Sequence, residues 1–88
     1  MGTRINVTDA LTRLAGLPAT IEVEGKTIRE CLDNLVLAFP SSKKWLYDNK
    51  RRPLVLIFLN QGTNYITNLQ QELKQGDVLN ISIIAGGG

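Results

Sequence analysis

The side chains that most often carry catalysis are missing from this chain. Its 88 residues include no histidine and one cysteine, Cys31. Without imidazole the commonest general base is gone, and neither a Cys-His nor a Ser-His nucleophile pair can form. One cysteine without histidine cannot build a zinc site of the usual donor sets. Cys31 also lacks a partner for an internal disulfide, which fits a reducing cytoplasm. There is no P-loop, and "GLPATIEVEG" lacks the dinucleotide-binding glycine spacing. The chain therefore reads as a non-enzyme, with no metal site and no bound cofactor. What remains with chemical potential is the stretch "IIAGGG", in which Ala85, Gly86, Gly87 and Gly88 follow a buried-strand pattern. Glycine gives up more conformational freedom on ordering than any other residue, so such a tail adds little stability. Its assets are thinness, dihedrals closed to other residues, and a carboxylate. Extended, Ala85 to Gly88 reach about 13–14 Å, enough to thread a narrow channel into another protein's active site.

The elements that would carry this tail are legible in the hydrophobic pattern. "RINVT" and "ATIEVEG" alternate apolar and polar residues and predict two half-buried strands, the second closed by a turn at Glu24-Gly25. "TDALTRLAG" between them reads as a looser connection with room for a helical turn. "KTIRECLDNLVLAFP" is the clearest helix. Ile28, Cys31, Leu32, Leu35, Val36 and Phe39 share one face, Thr27 and Glu30 form a T-x-x-E capping box, and Pro40 ends it. Cys31 lies in the apolar stripe and reads as a core residue.

"SSKKWLYDNKRRP" is polar and basic, a loop or short helical turn that Trp45, Leu46 and Tyr47 could pin down. Lys43, Lys44, Lys50, Arg51 and Arg52 cluster in it. The cluster reads first as a solvated loop, then as a surface for an acidic protein. Nucleic acid is the weakest reading, since no periodic aromatic-basic pattern accompanies it and net charge is only +2. "LVLIFL" has the length of a central strand with both faces apolar. A short strand is expected around Tyr65–Thr67. "NLQQELKQGD" is a polar connection anchored by Leu69 and Leu73, and "VLNISII" is a last strand with Leu79, Ile81 and Ile83 on one face. No apolar run approaches the roughly 20 residues needed to span a membrane, and no signal-peptide pattern opens the chain.

Two early strands, one crossover helix and a late set of strands predict an α+β fold: a mixed sheet of four to five strands packed on one main helix. The last strand is placed beside the first in the middle of the sheet. This is the β-grasp arrangement, with a domain over residues 1–84 and a glycine tail over 85–88.

That order resembles the ubiquitin-like sulfur carriers, together with the "L-x-x-G-D-x-L" turn of Leu73 to Leu79 and the closing glycines. The family includes the small subunit of molybdopterin synthase, the thiamin sulfur carrier and the carrier of a protein-bound route to cysteine. "LVLIFLN", "YITNLQQEL" and the long segment between Pro40 and Pro53 are most similar to the cysteine-route branch. Gly76 and Asp77 match the family's turn, and Gly87 and Gly88 its final pair. Gly86 stands where alanine is usual, and Ile83 where proline is frequent.

The resemblance implies that a ubiquitin-activating-type enzyme adenylates the Gly88 carboxylate with ATP. Sulfur then displaces AMP, and the resulting thiocarboxylate donates sulfur to a biosynthetic enzyme. Gly86 and Gly87 would complete the reacting tail. Strand alternation places Val55, Ile57 and Leu59 toward the helix and Leu54, Leu56 and Phe58 on the other face. No second helix is available to cover that face. Leu54, Leu56 and Phe58 are thus expected to dock the activating enzyme, with Arg51 or Arg52 at the rim. Two other readings share parts of this pattern. One is a protein modifier joined to lysines through Gly88. The other is a β-grasp interaction or RNA-binding module to which the tail is irrelevant.

Overall fold

The computed structural model describes residues 2–84; Met1 and the Ala85 to Gly88 tail lie outside the described residues. Four strands, β1 (Gly2–Val7), β2 (Thr20–Glu24), β3 (Val55–Leu59) and β4 (Val78–Ile83), form one sheet in the order β2-β1-β4-β3. β1 runs antiparallel to β2 and parallel to β4, and β3 runs antiparallel to β4. The last strand therefore sits in the middle beside the first, and the sheet is mixed, as the element order predicts.

Strict alternation decides which side of this sheet is dry. Thr3, Ile5 and Val7 of β1, Val55 and Ile57 of β3, and Leu79 and Ile81 of β4 are buried. Helix α2 (Ile28–Ala38) closes that side with Ile28, Cys31, Leu32 and Leu35, each wholly inaccessible. Val36 and Phe39 of the same stripe pack at its margin. The helix begins where the capping pattern predicts: the Glu30 N–H donates to Thr27 Oγ1 at 3.2 Å. The Glu30 carboxylate reaches one residue further back than in a standard capping box and accepts from the Lys26 N–H at 2.9 Å. Burial pushes the Cys31 thiol up from its ordinary value, which keeps it protonated and weakly nucleophilic.

Two segments differ from the sequence expectation. "TDALTRLAG" is a seven-residue helix, α1 (Asp9–Ala15), closed by Gly16 in the left-handed region at φ 70°. It buries only Leu11 and Ala15, an i, i+4 pair too brief to show helical periodicity. The strand expected around Tyr65–Thr67 does not form. Ile66 makes one rung, its N–H donating to the Ile57 carbonyl at 2.7 Å, while Tyr65 stands 58% exposed. A single rung with an outward aromatic is a strap along the β3 edge.

The basic segment folds into a 3₁₀ turn at Pro40–Ser42 followed by α3 (Lys43–Leu46). Leu46 and Tyr47 are buried and pin it, while Trp45 packs at the core margin. Leu69 anchors the later connection, and the Arg29 N–H donates to its carbonyl at 2.8 Å, tying that loop to the start of α2.

Candidate functional site: the open sheet face and the end of β4

The face away from α2 has no described element over it. Leu56 and Phe58 project there from β3, half-buried, opposite Ser82 and Asn80 of β4. Their neighbours Val55 and Ile57 point into the core. The alternation inferred from "LVLIFL" therefore holds. β3 is an edge strand with one apolar face buried and one open, rather than a central strand.

Beside this apolar pair runs a ladder of amides. Thr20 Oγ1 donates to Asn6 Oδ1 at 3.1 Å, and Asn6 Nδ2 donates to Asn80 Oδ1 at 3.0 Å. Asn80 Nδ2 donates to the Asn60 carbonyl at 2.8 Å. Asn60 Nδ2 in turn donates to Asp77 Oδ1 at 3.1 Å, and its Oδ1 accepts from the Val78 N–H at 2.9 Å. Asn60 holds a left-handed φ of 56°, which asparagine tolerates better than most residues. Asp77 also accepts from the Lys74 N–H at 2.7 Å. That bond, with the Asn60 amide, holds the Asp77 carboxyl below the ordinary aspartate range. The Gly76-Asp77 turn read from the sequence is thus what fixes the entry into β4. The ladder itself was missed, because isolated asparagines and a threonine carry no periodic signal.

The end of β4 is set by its last rung, Val55 opposite Ile83. Leu54 and Ile84 come next beyond it, 38% and 44% exposed, and form an apolar margin at the end of the described strand. Leu54 borders a groove with Pro40, Lys43, Lys44 and Tyr47. Gly86, Gly87 and Gly88, the residues to which the sequence assigns the chemistry, lie outside the described residues.

Arg51 and Arg52 sit apart from Leu56 and Phe58. Arg51 Nη2 pairs with Asp33 of α2 at 3.1 Å, and Arg52 Nε pairs with Asp48 at 2.7 Å. Both line a cleft with Arg29 on the helix side of the sheet. Among the described residues no three His, Cys, Asp or Glu side chains gather into a metal-holding group. No described helix is long and apolar enough to cross a membrane.

Sheet order, the single long helix and the central parallel pair of first and last strands define a β-grasp fold. Comparison with solved structures identifies the proteins that share it. SAMP1 from Haloferax volcanii superposes with a TM-score of 0.82 at 20% identity, with 100% of each chain covered. A chain of the BexX/CysO complex of Amycolatopsis orientalis gives 0.74 at 21%, covering 98% of this chain and 99% of that one. A chain from the complex of subunits 1 and 2 of the molybdopterin-converting factor of Helicobacter pylori 26695 gives 0.67 at 22%, with full coverage of both. At these identities the likeness shows a shared fold. No protein-family model matches the sequence, and no curated protein matches it.

Proposed function

We propose that this protein is a ubiquitin-like sulfur carrier whose reacting group is the carboxylate of Gly88. The observation that supports this most is where β4 ends. A central strand, fixed by the Asp77 turn and flanked on both sides by partner strands, leads within two residues into Ala85 and three glycines. The full-length likeness to a modifier protein, and to chains from the BexX/CysO and converting-factor complexes, supports the same reading.

The chemistry follows from the weakness of a carboxylate as an electrophile. In the proposed cycle a carboxylate oxygen of Gly88 attacks the α-phosphorus of ATP on a ubiquitin-activating-type enzyme, and pyrophosphate leaves. A sulfur donor attacks the acyl carbon and AMP leaves, so that the tail ends in a thiocarboxylate. That sulfur is the nucleophile a second, biosynthetic enzyme uses, in a route to cysteine or methionine, molybdopterin or thiamin. The carrier holds no cofactor in this scheme; ATP belongs to its partner, and the setting is cytoplasmic. Leu56, Phe58 and Leu54 supply the apolar docking face, and Gly86 and Gly87 supply a tail without side chains where the channel is narrow.

The test is direct. Incubated with an activating enzyme, ATP and sulfide, the intact protein should gain the mass of one oxygen-to-sulfur exchange, and a form lacking Gly87 and Gly88 should gain nothing. The likeness to small archaeal modifier protein 1 favours one second reading, attachment to lysines through Gly88. An N-terminally tagged chain expressed in cells would then give a ladder of larger species that vanishes when Gly88 is removed. A carrier alone gives little laddering.

A further inference from the structure

Four basic side chains gather in one cleft on the helix side of the sheet. Net charge is only +2, yet Arg29, Lys50, Arg51 and Arg52 line one cleft of about 540 Å³ between α2 and the 48–53 loop, with Asp33 its one carboxylate. The guanidinium groups are already held in place. Arg29 and Arg51 lie 5.3 and 5.8 Å from the centre of the Tyr47 ring. Arg29 Nη1 donates to the Arg51 carbonyl at 3.2 Å, Arg51 Nη2 to Asp33 at 3.1 Å, and Arg52 Nε to Asp48 at 2.7 Å. Asp33 Oδ1 also accepts from the Tyr47 hydroxyl at 3.0 Å, fixing the ring beneath. Each of these bonds engages one nitrogen of a five-donor group, so the arginines keep donors for a further anion. Arg51 holds a left-handed φ of 63°, uncommon for a residue with a side chain, and such backbone tends to cluster at binding sites.

We propose that this cleft is a docking trough for an extended acidic segment of a partner polypeptide. Three features choose a run of carboxylates over other anions. The loop N–H groups that could cradle a compact phosphate are already taken, because Asp48 Oδ1 accepts from both the Lys50 and Arg52 N–H at 2.8 Å. The Tyr47 ring is covered by two guanidinium groups, which leaves no stacking platform for a nucleobase. Asp33 interrupts the positive field that a dense phosphodiester backbone would need. The cleft is instead an open trough that Thr67 and Gln70 also line, which admits an extended segment presenting its acidic side chains to the arginines and Lys50. The arginines are mostly solvated, with 63% and 71% of the Arg51 and Arg52 side chains exposed. The contact therefore acts by charge complementarity and steering and weakens with salt. It does not depend on the tail chemistry proposed above.

The experiment uses the full chain and a fluorescein-labelled oligoglutamate peptide, with binding read by anisotropy at low salt. Saturable binding is expected, weakening as salt rises to about 0.15 M. Lys50→Gln with Arg52→Gln removes two exposed cations from the trough and should weaken binding by at least about tenfold. Arg13→Gln with Lys74→Gln removes the same charge elsewhere and should change binding by less than about twofold. Far-UV melts that match wild type exclude unfolding as the cause. Equal losses from the two pairs would reduce the effect to bulk charge and overturn the site. So would the absence of saturable binding, or tighter binding of pyrophosphate or oligothymidylate than of the peptide.

Discussion

Adjacent residues on β3 should differ in what they do, and the size of the difference follows from burial. Ile57 is 1% exposed within the core cluster. Ile57→Ala removes about three carbons at about 0.8 kcal/mol each, or about 2.4 kcal/mol of transfer free energy. The cavity left behind raises the cost to about 3–4 kcal/mol. Leu56 is half-buried on the open face, so its truncation forfeits about half the transfer term and leaves no enclosed cavity, about 1 kcal/mol. A domain of 88 residues has about 4–13 kcal/mol of total stability, and each kcal/mol moves Tm by about 4–8 °C. Ile57→Ala should therefore lower Tm by at least about 12 °C, and Leu56→Ala by about 4–8 °C. Urea titrations followed by far-UV circular dichroism give the same comparison as free energies. The binding arm inverts the order: Leu56→Asp should leave a cooperative melt but lose the activating enzyme in a pull-down. Equal destabilisation by Leu56→Ala and Ile57→Ala would mean that both faces are core, and the docking assignment would be refuted.

Other outcomes follow from single contacts. A Cβ added at Gly25 would lie 2.6 Å from Cys31 Sγ and 2.8 Å from the Cys31 N. Gly25→Ala should thus cost about 1–3 kcal/mol, measurable as a lower urea midpoint. The Asp77 carboxyl is held below its ordinary value by the Lys74 N–H and the Asn60 amide. Its stabilising contribution is full above the unfolded aspartate value, about 4, and is lost as pH falls through the lower folded value. Asp77→Asn should flatten the acid limb of a Tm-against-pH curve, and an unchanged limb would remove Asp77 from the acid response. Deleting Gly87 and Gly88 withdraws the carboxylate by about 7 Å. ATP-pyrophosphate exchange by the activating enzyme should vanish while Tm stays near wild type. Gly87→Val keeps the length but stiffens and widens the tail, and exchange should fall by about tenfold or more. Wild-type exchange from either variant would show that the tail is not the substrate.

Much of the fold was legible because its signals are periodic. The stripe from Ile28 to Phe39 spans enough turns to declare a helix, and "VLNISII" and "ATIEVEG" alternate long enough to declare strands with a preferred face. The parts that escaped are short or aperiodic. Leu11 and Ala15 are one turn apart, too little pattern to distinguish a helix from a loop. The Ile66 rung looked like a strand because Tyr65, Ile66 and Thr67 favour extended backbone, yet pairing ends where the chain turns toward Leu69. At the candidate site, alternation gave the directions of Leu56 and Phe58. Sequence order alone grouped Arg51 and Arg52 with them. The Asp33 carboxylate and the Tyr47 ring draw Arg51 to the helix layer instead, a pairing across 18 residues that no local pattern announces.

The central position of β4 also bears on how the protein is made. Asn6 and Asn80 face each other across 74 residues of chain, and until Val78 to Ile83 exist, β1 and β3 have nothing between them to pair with. Closing so long a loop slows folding. It also means that the sheet cannot be completed on a nascent chain whose last strand is still unmade. A molecule that has reached this fold has therefore been translated to within a few residues of its glycines. Acquiring the structure thus reports that translation has passed Ile83, and a protein that recognises the finished sheet indirectly reads that the chain was made that far.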